Sequence, residues 1–104
     1  MGNPQRGEID AVIGGERKVL CLTLGALAEL EARLQAGDLV GLAERFSSGR
    51  VSARDLTAIL GAGLRGGGNA ITDDDLARLS IEGGLKGAAE IAGRLLRATF
   101  GEAA

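Results

Sequence analysis

The spacing of apolar residues changes near Thr23, and this change constrains the fold more than any other feature of the chain. Before Thr23, apolar and polar residues alternate, which is typical of a β-strand covered on one face. After Thr23, apolar residues recur every three or four positions between short breaks, which is typical of amphipathic helices. The pattern therefore predicts an α+β protein in which a β-hairpin comes first and helices follow.

The hairpin is predicted from two alternating segments that flank Gly14-Gly15. Paired glycines supply the positive φ angles that a tight two-residue turn requires. Residues 8–13 and 17–23 are therefore predicted to be antiparallel strands. The second strand is apolar on both faces for part of its length, and an isolated hairpin is only marginally stable in water. We therefore expect helices to cover one side of it.

Four or five short helices are predicted between capping residues and glycine breaks. Small polar residues whose side chains can accept hydrogen bonds from the first helical turn stand at Thr23, Asp38, Ser52 and Thr72. Each of the first three helices has an apolar stripe, formed by Leu24, Leu27, Leu30 and Leu34, by Leu39, Leu42, Ala43 and Phe46, and by Leu56, Ile59, Leu60 and Leu64. A short fourth helix follows Thr72, and the last helix is predicted over about 85–100.

Several local patterns have a structural and a functional interpretation. Residues 63–68 are rich in glycine, but they follow a helix and lack the lysine of a phosphate loop, so a flexible linker with a helix C-cap is predicted. Asp73-Asp74-Asp75 fits a helix start rather than a metal site, because consecutive carboxylates point in different directions. Glu29 and Arg33 are predicted to pair along the first helix. Cys21 is predicted to be a small buried apolar residue.

The domain organisation expected from the sequence is simple. Residues 1–7 are predicted to be a flexible arm, and 8–104 a single compact domain, with the hairpin at 8–23 and the helical part at 24–100. No apolar run approaches the roughly 20 residues that cross a bilayer, and the N-terminus lacks the apolar stretch of a signal peptide. A cytoplasmic location without membrane association is therefore expected.

The composition disfavours an enzyme. The chain has no His, Tyr or Trp and a single Cys, so it lacks the commonest general base and any multi-cysteine metal site. No serine has a lysine or histidine base in a recognisable pattern. We therefore predict no catalytic, cofactor-binding or metal-binding residues, and a function in protein binding. A small DNA-binding regulator is a weaker alternative, because the net charge is −2 and no basic recognition helix is visible.

The last predicted helix is the most amphipathic and has two interpretations. Its apolar face could complete the core of the domain, which is the favoured interpretation. Alternatively, part of this face docks a protein partner or a second copy of the chain. The residues predicted for such a contact are Ile91, Leu95, Leu96 and Phe100.

Phrases along most of the chain resemble one family. They are Arg6-Gly7-Glu8, Leu22-Thr23-Leu24-Gly25-Ala26-Leu27-Ala28-Glu29-Leu30-Glu31, Ser52-Ala53-Arg54-Asp55-Leu56 and Gly63-Leu64-Arg65-Gly66-Gly67-Gly68. Together they resemble the gene transfer agent family of phage tail assembly chaperones, found in gene transfer particles and related prophages of alphaproteobacteria. These motifs are helix boundaries, so they identify a fold family better than a mechanism.

The resemblance implies a tail assembly chaperone that binds the tape-measure protein and recruits tail-tube subunits during tail morphogenesis. The alternative is a structural tail component, such as a tube subunit, that remains in the particle. Homo-oligomerisation is compatible with either role, and no cofactor or nucleic acid is implied.

Overall fold

The computed structural model describes residues 7–34 and 52–101. In these ranges a β-hairpin is followed by four helices, which confirms the predicted α+β architecture. The elements are β1 (Glu8–Ile13), β2 (Glu16–Cys21), α1 (Leu24–Leu34), α2 (Ala53–Gly66), α3 (Asp73–Ala77) and α4 (Gly84–Phe100). The helix predicted around Leu39, Leu42, Ala43 and Phe46 lies outside the described residues.

The hairpin is antiparallel, with Ile9 opposite Leu20, and it turns at Gly14 and Gly15. Both glycines have positive φ angles, 64° and 81°, as the predicted tight turn requires. β2 ends at Cys21, two residues earlier than predicted. The reason is that Thr23 is engaged by α1: its hydroxyl accepts a hydrogen bond from the Ala26 N–H at 3.1 Å. This N-cap turns the chain from strand to helix.

One face of the hairpin is buried. Ile9, Ala11 and Ile13 of β1 are at most 7% exposed, and Leu20 of β2 is fully buried. This alternation is the one predicted from the sequence. The prediction that Cys21 is buried is wrong, because its side chain is only partly buried. It lies opposite Glu8 in the register, which places it on the face of the hairpin opposite to Leu20.

The central element is α2, which packs against α1, β2, α3 and α4. It is buried along most of its length because its apolar stripe is completed by small residues on the flanks. The buried residues of α2 are Leu56, Ala58, Ile59, Leu60, Gly61, Ala62, Gly63 and Leu64. Ser52 caps the helix as predicted, and its hydroxyl accepts from the Asp55 N–H at 3.1 Å.

Two glycines at the end of α2 bring this helix against β2. A Cβ added at Gly66 would collide with the carbonyl oxygen of Cys21, and one at Gly67 with that of Val19. Gly67 is also the C-cap, which lies within the segment where a C-cap was predicted. The flexible linker predicted for 63–68 is therefore wrong: residues 63–66 belong to the helix, and Gly66 and Gly67 are packed against a strand. Asn69 holds the chain that leaves α2 against the same strand, because its side-chain amide donates to the Val19 carbonyl at 2.8 Å.

The buried face of α1 agrees with the predicted stripe at Leu27 and Leu30 and differs from it elsewhere; the side chain of Leu34 lies outside the described residues. Ala26 and Leu30 face the core, at 7% and 0% exposed, and Leu27 packs at its margin. Leu24, predicted as the first residue of the stripe, is 86% exposed. The inward face of α1 is therefore set by Ala26 and Leu30, which are four residues apart and so lie one above the other.

The short helix α3 begins with a complete capping box. The Thr72 hydroxyl accepts from the Asp75 N–H at 3.0 Å, and the Thr72 N–H donates to the Asp75 carboxylate at 3.2 Å. The hydrogen bond from the Thr72 backbone, with a further contribution from the Thr72 hydroxyl, lowers the pKa of Asp75 below its ordinary value of 3.8.

This capping box predicts a specific pH dependence. Because the pKa of Asp75 is lowered on folding, its contribution to stability is present above pH 3.8 and is lost as the pH falls through the folded-state pKa. Between about pH 6 and about pH 2.5, the wild-type chain should therefore lose more stability than an Asp75→Asn variant. Urea unfolding of both proteins at the two pH values measures the difference. Identical losses would show that the capping carboxylate contributes nothing.

Candidate protein-interaction surface

The four residues predicted to contact a partner lie on α4, and three of them are buried. Ile91, Leu95 and Leu96 are 8%, 0% and 5% exposed and belong to the core of the domain. Phe100, at the last position of α4, is 37% exposed. The apolar face of α4 thus completes the domain's own core, which was the favoured interpretation of its pattern. A partner contact through these residues stays a prediction, with Phe100 the most accessible of the four.

The fit between α4 and α2 depends on a glycine. A Cβ added at Gly63 would lie 2.5 Å from the Cδ2 atom of Leu95, so the Leu95 side chain occupies the space left by the missing side chain. On its other side, α4 packs against β1, where Arg94 donates to the Asp10 carbonyl at 2.8 Å. Through these contacts, α4 packs against both the central helix and the first strand of the hairpin.

An apolar groove of about 250 Å³ lies between α2, α3 and the N-terminal turns of α4. Its main apolar lining consists of Leu56, Leu60, Leu76, Leu79, Ile81, Leu85 and Ala88. We call it the α2–α4 groove. No pattern in the sequence predicts this groove, because it exists only once three separate elements are packed together. In the sequence, the signal that could have indicated the groove is the pair Leu79 and Ile81, two apolar residues in the connection between α3 and α4.

The connection that lines the groove is held to the hairpin. The Gly14 N–H donates to the Ser80 carbonyl at 2.8 Å, and Ile13 forms an isolated antiparallel bridge with Ile81. Gly83 and Gly84 then adopt positive φ angles of 86° and 62°, which redirect the chain into α4. As a result, Leu85 is placed at the mouth of the groove with 62% of its surface exposed.

Four charged side chains on α1, α2 and α3 form a cluster of their own. The Arg65 guanidinium binds the Glu29 carboxylate and donates to Asp73 Oδ1 at 3.0 Å and to the Ile71 carbonyl at 3.0 Å. Arg33 completes the cluster by pairing with Asp73 Oδ2 at 2.5 Å. The predicted pairing of Glu29 with Arg33 is therefore wrong, because each residue has a partner on another element. Asp73, predicted only to cap a helix, ties α3 to α1 and α2.

The charges of this cluster stabilise the packing of the helices against one another. The hydrogen bond to Glu29, opposed by partial burial and reinforced by Asp73, raises the pKa of Arg65 above its ordinary value. Gly61 leaves the room that Asp73 occupies, since a Cβ there would collide with Asp73 Oδ1. Two guanidinium groups and two carboxylates balance each other in charge. The cluster joins three helices and presents no unbalanced charge to a ligand.

Outside this cluster, few polar side chains in the described residues are grouped into a site. A second cavity of about 330 Å³ is lined by Arg33, Arg54, Thr57, Ala58, Asp73, Asp74 and Ala77. Two of these side chains, Arg33 and Asp73, already pair with each other. Over residues 7–34 and 52–101, no group of three or more metal-ligating side chains could hold an ion. In the same ranges, no helix has the length and apolarity to cross a bilayer.

Over residues 7–34 and 52–101 the fold is a small α+β domain with an apolar groove between α2, α3 and α4. Apolar surface that stays accessible is a common mark of a binding site. The model of a protein family described as "Phage tail tube protein, GTA-gp10" matches residues 6–102. The match covers nearly the whole chain, and the chain therefore belongs to this family of gene transfer agent and phage tail proteins. No curated protein and no solved structure matches the chain.

The family description corrects the functional prediction made from the sequence. A tail assembly chaperone was predicted, but the matching family is described as a tail tube protein. This finding favours the structural alternative. The prediction of a chaperone was wrong because it depended on helix-boundary phrases, which are shared by proteins with one fold and do not report whether a protein stays in the particle.

Proposed function

We propose that this chain is a structural subunit of the tail of a gene transfer agent particle, and that it works by binding neighbouring tail proteins rather than by catalysis. The observation that carries the proposal is the family match over residues 6–102. The proposed partners are other tail subunits, including further copies of the chain, with the tape-measure protein as an additional candidate. Synthesis and folding in the cytoplasm precede incorporation into the particle.

The α2–α4 groove is the surface that we propose for contact with a neighbouring tail protein. Its lining is apolar, and removal of such a surface from water is the main favourable term in most protein associations. Leu85 stands at its mouth with more than half of its surface accessible, so a partner could cover it without rearrangement of the core. A few well-packed residues near the centre of an interface commonly carry most of its binding energy.

Substitution of Leu85 by glutamate should leave the domain folded and reduce its incorporation into particles. The folded chain tolerates the change because the side chain is 62% exposed, whereas an interface would have to bury the new charge. We expect at least a tenfold loss of incorporation, equivalent to about 1.4 kcal/mol. The measurement is the ratio of this protein to capsid protein in particles purified from a producer strain that carries only the variant.

Leu24→Glu is the matched control for this experiment. Leu24 is also an exposed leucine at the start of a helix, at 86% exposed, but it does not line the groove. This variant should enter particles at the wild-type level. Equal incorporation of Leu85→Glu and wild type would show that the groove is not the contact surface. Absence of the wild-type chain itself from particles would contradict the structural role as a whole.

A further inference from the structure

We draw no further inference here: the strongest candidate, the apolar α2–α4 groove with Leu85 at its mouth, belongs to the surface already described, and nothing in the described residues shows which segment or partner covers it.

Discussion

Replacement of Leu95 by aspartate is expected to abolish folding of the domain. Leu95 is fully buried and packs against Gly63 of the central helix. Loss of such a side chain costs about 2–5 kcal/mol, and a buried carboxylate without a counter-ion costs several kcal/mol more. No polar or charged side chain in the described part of the chain is fully buried, so the core offers the carboxylate little compensation. Together these terms approach the whole stability of a typical domain, about 5–15 kcal/mol.

Far-UV circular dichroism and thermal unfolding measure this effect directly. The Leu95→Asp protein should show no cooperative unfolding transition, whereas Phe100→Asp should keep one within a few degrees of the wild-type midpoint. Phe100 is the suitable control because it lies on the same helix and is 37% exposed. A cooperative Leu95→Asp protein with near-wild-type stability would contradict the placement of α4 in the core.

This comparison also decides how a partner contact on α4 can be tested. A loss of binding in a Leu95 variant reports the loss of the fold, because Leu95 is inaccessible in the folded chain. A loss of binding in a folded Phe100→Asp variant would report a contact at the end of α4. Of the four predicted contact residues, only Phe100 therefore permits a test of the interface that is separate from a test of stability.

Substitution of Gly67 by alanine is expected to destabilise the domain by about 1–3 kcal/mol, the usual cost of forcing extra volume into a packed site. A Cβ there would collide with the Val19 carbonyl oxygen, lie 2.7 Å from its carbonyl carbon and lie 3.2 Å from the Leu20 Cα. These are backbone atoms, so the clash is relieved only by separating α2 from β2. The φ angle of Gly67 is −83°, which any residue adopts, so the effect reports close approach alone.

Gly93→Ala provides the matched control, since it makes the same chemical change inside a helix. A Cβ at Gly93 would have its nearest contact at 3.5 Å, with the Nη1 atom of Arg97, which is ordinary packing. Alanine is favoured over glycine in helix interiors by up to about 1 kcal/mol, so this variant should be as stable as wild type or more stable. Urea unfolding of both variants gives the comparison. If Gly67→Ala were as stable as Gly93→Ala, the close contact between α2 and β2 would be refuted.

The elements of the fold could be predicted from the sequence because their signals are local. The alternation in 8–13, the Gly14-Gly15 turn and the caps at Thr23, Ser52 and Thr72 each act within a few residues. Local hydrogen bonding and local backbone geometry determined these features, and the structure contains them. The small difference at the end of β2 has the same origin, because Thr23 serves the helix that follows and not the strand that precedes it.

The contacts between elements could not be predicted, because their partners are distant in sequence. Arg65 binds Glu29, which is 36 residues away, whereas helical spacing predicts a pair between Glu29 and its neighbour Arg33. The role of Gly66 and Gly67 was missed for the same reason, since it depends on the position of β2. The α2–α4 groove is a further feature of this kind, because residues of three separate elements line it.

The functional prediction was wrong for a different reason: it named the right family but the wrong role within the family. Sequence phrases identified the right group of tail proteins, and the family match over residues 6–102 agrees with that assignment. They did not distinguish a protein that leaves the tail after assembly from one that remains, because both roles require binding surfaces and neither requires an active site. The distinction depends on where the protein is found, which is a property of the particle and not of a motif.

The most direct test of the structural role is quantitative mass spectrometry of purified particles, with antibody labelling of the tail by electron microscopy. If the chain is a structural tail subunit, it is present in many copies per particle, at a constant ratio to other tail proteins, and the label lies along the tail. A chain that is abundant in the producing cells but absent from purified particles would contradict the account.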